Sequence, residues 1–228
     1  MTKPRVLLAD DHTLLAQACQ KLLEPEFEVL GIFADGRTLL KKAPALKPDA
    51  IVLDFAMPVL NGLETCRQLR TLLPNVKLIF LTMYEDPDLA TEAIRAGALA
   101  YVLKTSAASE LVKALREALR GRSFITPAIS RKMEDSFIRN PEGTHHSKEL
   151  TPRQREVLQL LAEGRPMKEA AYILDVSMRT IAFHKYRMME QLGFKNSAEL
   201  IQFAVEQHLV TPQNYASLSE SQYLGNQT

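Results

Sequence analysis

Five side chains draw attention because each closes or directly follows a short apolar run. Asp10 and Asp11 follow VLLA, Asp54 closes AIVLD, Thr82 closes LIFLT, and Lys104 follows AYVL. Three carboxylates brought together repel, by about 4 kcal/mol per pair at 4 Å and an effective dielectric of 20. Such a cluster needs a cation, and oxygen ligands with room for water and phosphate suit Mg2+. The same set supplies the parts for phosphoryl transfer. Asp54 can attack phosphorus and form an acyl phosphate, while Lys104 and the Thr82 hydroxyl can hold the remaining oxygens. Taken singly, the residues have plainer readings: Asp10 and Asp11 as a helix cap, Asp54 as a strand end. A phosphatase with an aspartate nucleophile is a rival chemistry. It needs a second acid two residues on, where Ala56 stands.

A second constellation lies in the last third of the chain. In the segment MRTIAFHKYRMMEQL, residues Ile181, Met188 and Leu192 form one apolar stripe at helical period. Arg179, Ala182, Phe183, Tyr186, Arg187 and Glu190 project from the other side. Aromatic rings beside arginines suit insertion into a DNA groove, with Arg placed for guanine or phosphate. Thr180 and the helix N-terminus offer a phosphate site. Lys168 and Lys185 suit backbone contacts, which position without specifying. His184 falls on the flank. A solvated helix face or a protein interface is the plainer reading of this pattern.

The elements that must place these groups follow from periodicity. Val6–Ala9, Glu28–Phe33, Ala50–Asp54, Lys77–Thr82 and Ala100–Leu103 read as strands, nearly all apolar, as in a parallel sheet covered on both faces. Helical patterns alternate with them over Thr13–Leu23, Gly36–Lys42, Leu63–Leu73, Pro87–Ala96 and Ala107–Arg120. Five such alternations predict a doubly wound α/β domain, with function at the carboxyl ends of the strands. That edge is where the acids, Thr82 and Lys104 fall. Over Arg131–Lys148 periodicity fades and polar residues rise, and a linker is expected over 126–148. His145 and His146 within it lack the ligand spacing of a metal site. Beyond the linker the pattern is helical. TPRQ at 151–154 and NSAE at 196–199 read as capping boxes, Ser177 as a cap and Gly193 as a stop. The polar segment 212–228 predicts a flexible tail.

Composition excludes several classes. Of 228 residues, 46% are hydrophobic and 24% charged, with a formal net charge of +1, so a nucleic-acid surface must be a local patch. Cys19 and Cys66 read as buried thiols, not as a disulfide or metal pair. No apolar run has the length of a membrane span or the form of a signal peptide, so a cytoplasmic protein without a membrane partner is expected.

LLADDH, IVLDFAMPVLNG, FLTMYE and AGALAYVLKT resemble the receiver domain of two-component response regulators, over roughly residues 4–125 of a domain expected at 1–125. The resemblance implies Asp54 as phosphoacceptor, Asp10, Asp11, Asp54 and the Ala56 carbonyl around Mg2+, Thr82 and Tyr101 as a switch pair, and Lys104 as the phosphate-binding lysine. Residues 149–209, of a domain expected at 149–211, resemble the LuxR-type helix-turn-helix, and the whole is similar to the NarL/FixJ family. That implies a transcription regulator and not an enzyme, with a sensor histidine kinase as donor, slow self-dephosphorylation, double-stranded DNA as target and a homodimer upon phosphorylation. Three positions depart from the LuxR-type pattern. Pro166 replaces a Ser/Thr cap, Asp175 stands where the turn often has Gly, and Ala182 where a long polar residue often reads a base.

Overall fold

Every residue but Arg5 and Lys77 of the four central strands is buried in the computed structural model, which describes residues 2–139 and 150–210. The chain divides into two compact units on either side of residues 144 and 145. In the first, β1 (Arg5–Ala9), β2 (Glu28–Phe33), β3 (Ala50–Leu53), β4 (Lys77–Thr82), β5 (Ala100–Leu103) and β6 (Phe124–Ile125) alternate with α1 (Thr13–Leu23), α2 (Gly36–Leu46), α3 (Gly62–Leu72), α4 (Pro87–Arg95) and α5 (Ala107–Leu119), and α6 (Pro127–Arg139) follows. The strands pair in parallel in the order β2-β1-β3-β4-β5-β6. This is the doubly wound architecture that the alternation predicts.

Side-chain alternation along each strand builds two cores. Leu7, Ile51, Leu53, Leu78, Phe80 and Tyr101 pack with Leu39 of α2, Cys66 and Leu69 of α3, and Leu89 and Ala93 of α4. Val6, Leu8, Val52, Ile79, Leu81 and Val102 pack on the opposite face with Cys19 and Leu23 of α1 and Leu111 and Leu115 of α5. The chain order reverses between β1 and β3, so the loops leaving these neighbours diverge to opposite faces and open a crevice at their carboxyl ends.

The structure departs from the sequence reading at three places. The linker expected from residue 126 begins as folded chain. Thr126 is buried, and Ile129 of α6 is fully buried in the core that includes Ala90 and Ala93. Lys132 of α6 pairs with Glu85 at 2.8 Å. A sixth strand also joins the sheet, Ala100 pairing with Phe124 and Tyr101 with Ile125. Helix α2 continues past Lys42 to Leu46 through Pro44, which sits in its last turn, where proline costs one helical hydrogen bond but leaves little helix beyond it to disrupt. The histidine pair at 145–146 and the segment 212–228 lie outside the described residues.

The second unit contains α7 (Pro152–Ala162), α8 (Met167–Ile173), α9 (Met178–Leu192) and α10 (Ser197–Glu206). Its core gathers Val157, Leu158, Leu160, Ala170, Leu174, Ile181, Met188, Leu200 and Ala204. The Thr151–Gln154 capping box forms in both directions, and Asn196 caps α10 through the Glu199 amide. Asp175, in the turn between α8 and α9, adopts φ +52°, the left-handed conformation that Asp tolerates better than most residues. Arg153 of α7 donates to the Leu174 carbonyl at 2.8 Å and pins that turn.

Candidate functional site

The carboxyl ends of β1, β3 and β5 deliver the predicted cluster. Asp10 follows β1, its amide bonded to the Phe33 carbonyl of the neighbouring strand, and Asp54 follows β3 with its amide on Ala9. Both side chains are buried. Carboxylate oxygens of Asp10, Asp11 and Asp54 and a ring nitrogen of His12 all lie within 4.8 Å of one another. Lys104 reaches in from the end of β5. Its Nζ stands 2.8 Å from Asp10 Oδ2 and 2.8 Å from Asp54 Oδ2. Burial works against the ammonium, but Asp54 and Asp10 outweigh it and hold Lys104 above the usual lysine value. Burial pushes the Asp54 carboxyl up to about 6; Lys104 opposes that rise, and Asp10 and Asp11 add to it.

The donor set fits a hard divalent cation. One ammonium bridges two of the three carboxylates, and the buried Oδ1 of Asp11 accepts no hydrogen bond. His12 Nδ1 approaches that oxygen to 3.0 Å and Asp10 Oδ1 to 3.3 Å, an ion pair only while the ring is protonated. Ala56 lies two residues past Asp54, half-buried in the loop. That loop is fixed from behind by Gly62. A Cβ there would come within 2.0 Å of the Asp54 carbonyl oxygen, so only glycine lets α3 start this close to the acid. Val59 in the same loop holds φ +67°, a strained conformation for a β-branched residue.

Thr82 and Tyr101 lie beside the cluster, and both are fully buried. Thr82 Oγ1 accepts from the Tyr84 amide at 3.2 Å. Tyr101 points inward, its hydroxyl donating to the Tyr84 carbonyl at 2.8 Å. Both groups therefore grip one residue of the loop between β4 and α4. The next residue, Glu85, is the partner of Lys132 in α6.

In the second unit, Ile181 and Met188 turn α9 inward as expected, while Leu192 is only half-buried. Arg179, Phe183, Tyr186, Arg187 and Lys168 are exposed; Ala182 and Lys185 are half-buried. His184 is half-buried edge-on to Phe183, and burial lowers its pKa, with Arg153 and Arg187 adding to the effect. Thr180 also takes part in the cap of α9. Its amide donates to the Ser177 carbonyl and hydroxyl, and its own hydroxyl meets Ser177 Oγ at 2.9 Å. Ser177 thus engages one of the amides that the N-terminus of α9 presents.

Residues 6–116 match the family described as response regulator receiver domain, and residues 148–204 match the bacterial regulatory proteins of the luxR family. The transcriptional regulatory protein LiaR of Bacillus subtilis is 33% identical over 208 residues, covering 90% of this chain and 99% of LiaR. The chain belongs to the response regulators that join a receiver to a LuxR-type DNA-binding domain. The oxygen regulatory protein NreC of Staphylococcus carnosus is 30% identical to this regulator over 90% of the chain and 99% of NreC. Solved structures of RcsB are also similar. One from Salmonella typhimurium has a TM-score of 0.60 and 29% identity, covering 89% of this chain and 97% of RcsB. Another, from Salmonella enterica serovar Typhimurium, is bound to a promoter in the presence of a phosphomimetic; it has a TM-score of 0.56 and 29% identity over 89% and 98%. The regulator is a phosphorylation-controlled, DNA-binding transcription regulator and not a classical enzyme. Among its described residues no helix is long and apolar enough to cross a membrane. Residue reasoning assigned no role to His12, although its place directly after two acids was signal enough to put it in the pocket.

Proposed function

We propose that Asp54 is the phosphoacceptor and that a sensor histidine kinase is the donor. The observation that carries this reading is Lys104 Nζ bridging Asp10 and Asp54 at 2.8 Å each. Lys104 holds one Asp54 oxygen and favours the ionised, nucleophilic form. The other oxygen attacks phosphorus, the bond from phosphorus to the donor nitrogen breaks, and an aspartyl phosphate forms. Asp10, Asp11, Asp54 and the Ala56 carbonyl would hold Mg2+, which when bound offsets the charge of the phosphoryl oxygens. Lys104 and the Thr82 hydroxyl then take up the transferred oxygens. For Thr82 this means releasing the Tyr84 amide, while Tyr101 keeps the Tyr84 carbonyl. The loop between β4 and α4 is thus the element that the new charge biases. Slow self-dephosphorylation follows from water attack on the acyl phosphate, with no acid at Ala56 to speed it.

On this reading the receiver extends through Arg139, the linker shortens to 140–149, and the DNA-binding domain covers 150–210. Phosphorylation favours a homodimer that sets two α9 helices on paired half-sites of double-stranded DNA, since one small module buries limited area. Arg179, Thr180, Ala182, Phe183, Lys185, Tyr186, Arg187 and Lys168 form the contact surface. The cytoplasm supplies the kinase domain and the DNA. Incubating wild type and Asp54→Ala with Mg2+ and a small-molecule phosphodonor tests the central step. Wild type should incorporate one phosphate and the variant none; equal incorporation would remove Asp54 from the role.

A further inference from the structure

Two aromatic rings stand exposed on α9, Phe183 at 55% and Tyr186 at 63%. Each carries a cation: Arg187 Cζ lies 5.8 Å from the Phe183 ring centre, and Lys185 Nζ lies 5.9 Å from that of Tyr186. Phe183, Tyr186 and Arg187 line a shallow concavity with Glu190 and Gln191. Ala182, beside Phe183, adds a methyl group and no hydrogen-bonding atom. The position has no polar side chain long enough to read a base edge, yet the surrounding charge is mostly basic.

An exposed phenyl ring gains only if its partner is apolar. Phosphate and sugar offer little of that kind. The apolar group displayed on the floor of the major groove is the 5-methyl of thymine. We propose that Phe183, with Ala182 beside it, selects half-sites by packing on thymine methyl groups. Arg187, held across the same ring, presents its guanidinium to a neighbouring guanine or phosphate. Phe183 suits this better than Tyr186. It lies nearly one turn closer to the N-terminus of α9, the end of a recognition helix that meets base edges. Tyr186, with its hydroxyl and its lysine, suits the backbone. The inference rests on α9 reading DNA and adds what it reads.

The test uses the full-length phosphorylated protein and a duplex obtained by binding-site selection. Each thymine is replaced in turn by deoxyuridine, which keeps the pairing and loses only the methyl. Wild type should lose about fourfold in affinity at one or two positions per half-site, the value of one buried methyl. Phe183→Ala should weaken binding to the thymine duplex and bind both duplexes equally at those positions. Phe183→Leu should keep part of the discrimination. The ring is exposed, so thermal unfolding of these variants should match wild type. Equal binding of thymine and uracil duplexes by wild type at every position overturns the proposal. So does discrimination that survives Phe183→Ala, or a Phe183→Ala variant with unchanged DNA affinity and lost self-association, which would give the ring to a second copy. Absence of any sequence-selective binding by wild type would overturn the DNA-reading role itself.

Discussion

Lys104 is one ammonium between two buried carboxylates, and its removal exposes what it offsets. Lys104→Ala leaves Asp10 and Asp54 buried without their cation, a change that costs on the order of 3–5 kcal/mol in comparable buried pairs. In metal-free buffer at pH 7.5 the variant should unfold at clearly lower urea, and added Mg2+ should recover part of the loss. A urea midpoint indifferent to both would show that the bridge carries no energetic weight. The Asp54 carboxyl, raised from 3.8 to about 6, makes a separate prediction. Its proton is held more tightly in the folded chain, so its contribution is full below about pH 4 and is lost as pH rises toward 6. The ionised form costs roughly 3 kcal/mol by that shift. Asp54→Asn should therefore be more stable than wild type at pH 7.5 without metal, with the gap closing toward pH 4. These acids and the lysine were legible in the sequence because a parallel sheet brings successive strand ends to one edge. Ser177 was equally legible as a cap, and it takes the Thr180 amide, one of several that a helix N-terminus presents.

Between residues, the loop from β3 to α3 decides where the phosphoacceptor sits. Asn61 caps α3 through the Glu64 amide at 2.9 Å, and the Gly62 amide returns to the Phe55 carbonyl at 2.8 Å. Gly62→Ala cannot fit without moving the Asp54 backbone. It should lose about 1–3 kcal/mol, as overpacked sites do, and slow phosphorylation by a small-molecule donor, measured by phosphate incorporation against time. A variant with normal stability but slow incorporation would still support the positional role; normal values of both would refute it. Helices and strands were readable to within a few residues wherever the apolar period was strong. Helix α6 was not, because only Ile129 and Met133 of its side chains with described burial face the core, among Ser130, Arg131, Lys132, Glu134 and Asp135. A single stripe that narrow resembles a polar segment. Likewise β6 offers two residues, too few for any alternation to register.

For the whole molecule, the boundary of the first unit becomes an experimental question. A chain ending at Arg139 keeps Ile129 in the core and Lys132 on Glu85; one ending at Ile125 loses both. The shorter chain should be less stable by about 2–4 kcal/mol, close to the cost of emptying a large buried aliphatic site, as read from urea unfolding of both. Equal midpoints would return α6 to the role of a passive connector. The overall plan of a phosphate-accepting sheet and a helical DNA reader was visible at this scale because each part has its own period and its own charged edge.

Both cysteines are closed off. Cys19 lies on the buried face of α1, and burial raises its thiol; Cys66 lies in α3 with no exposed surface, and burial pushes its thiol up to about 12. Neither is a thiolate at neutral pH, so maleimides and peroxide should leave the native fold untouched. A cysteine engineered onto the α9 surface would then be the sole reactive handle, and a fluorophore placed there could follow promoter engagement without first rebuilding the protein as a thiol-free variant.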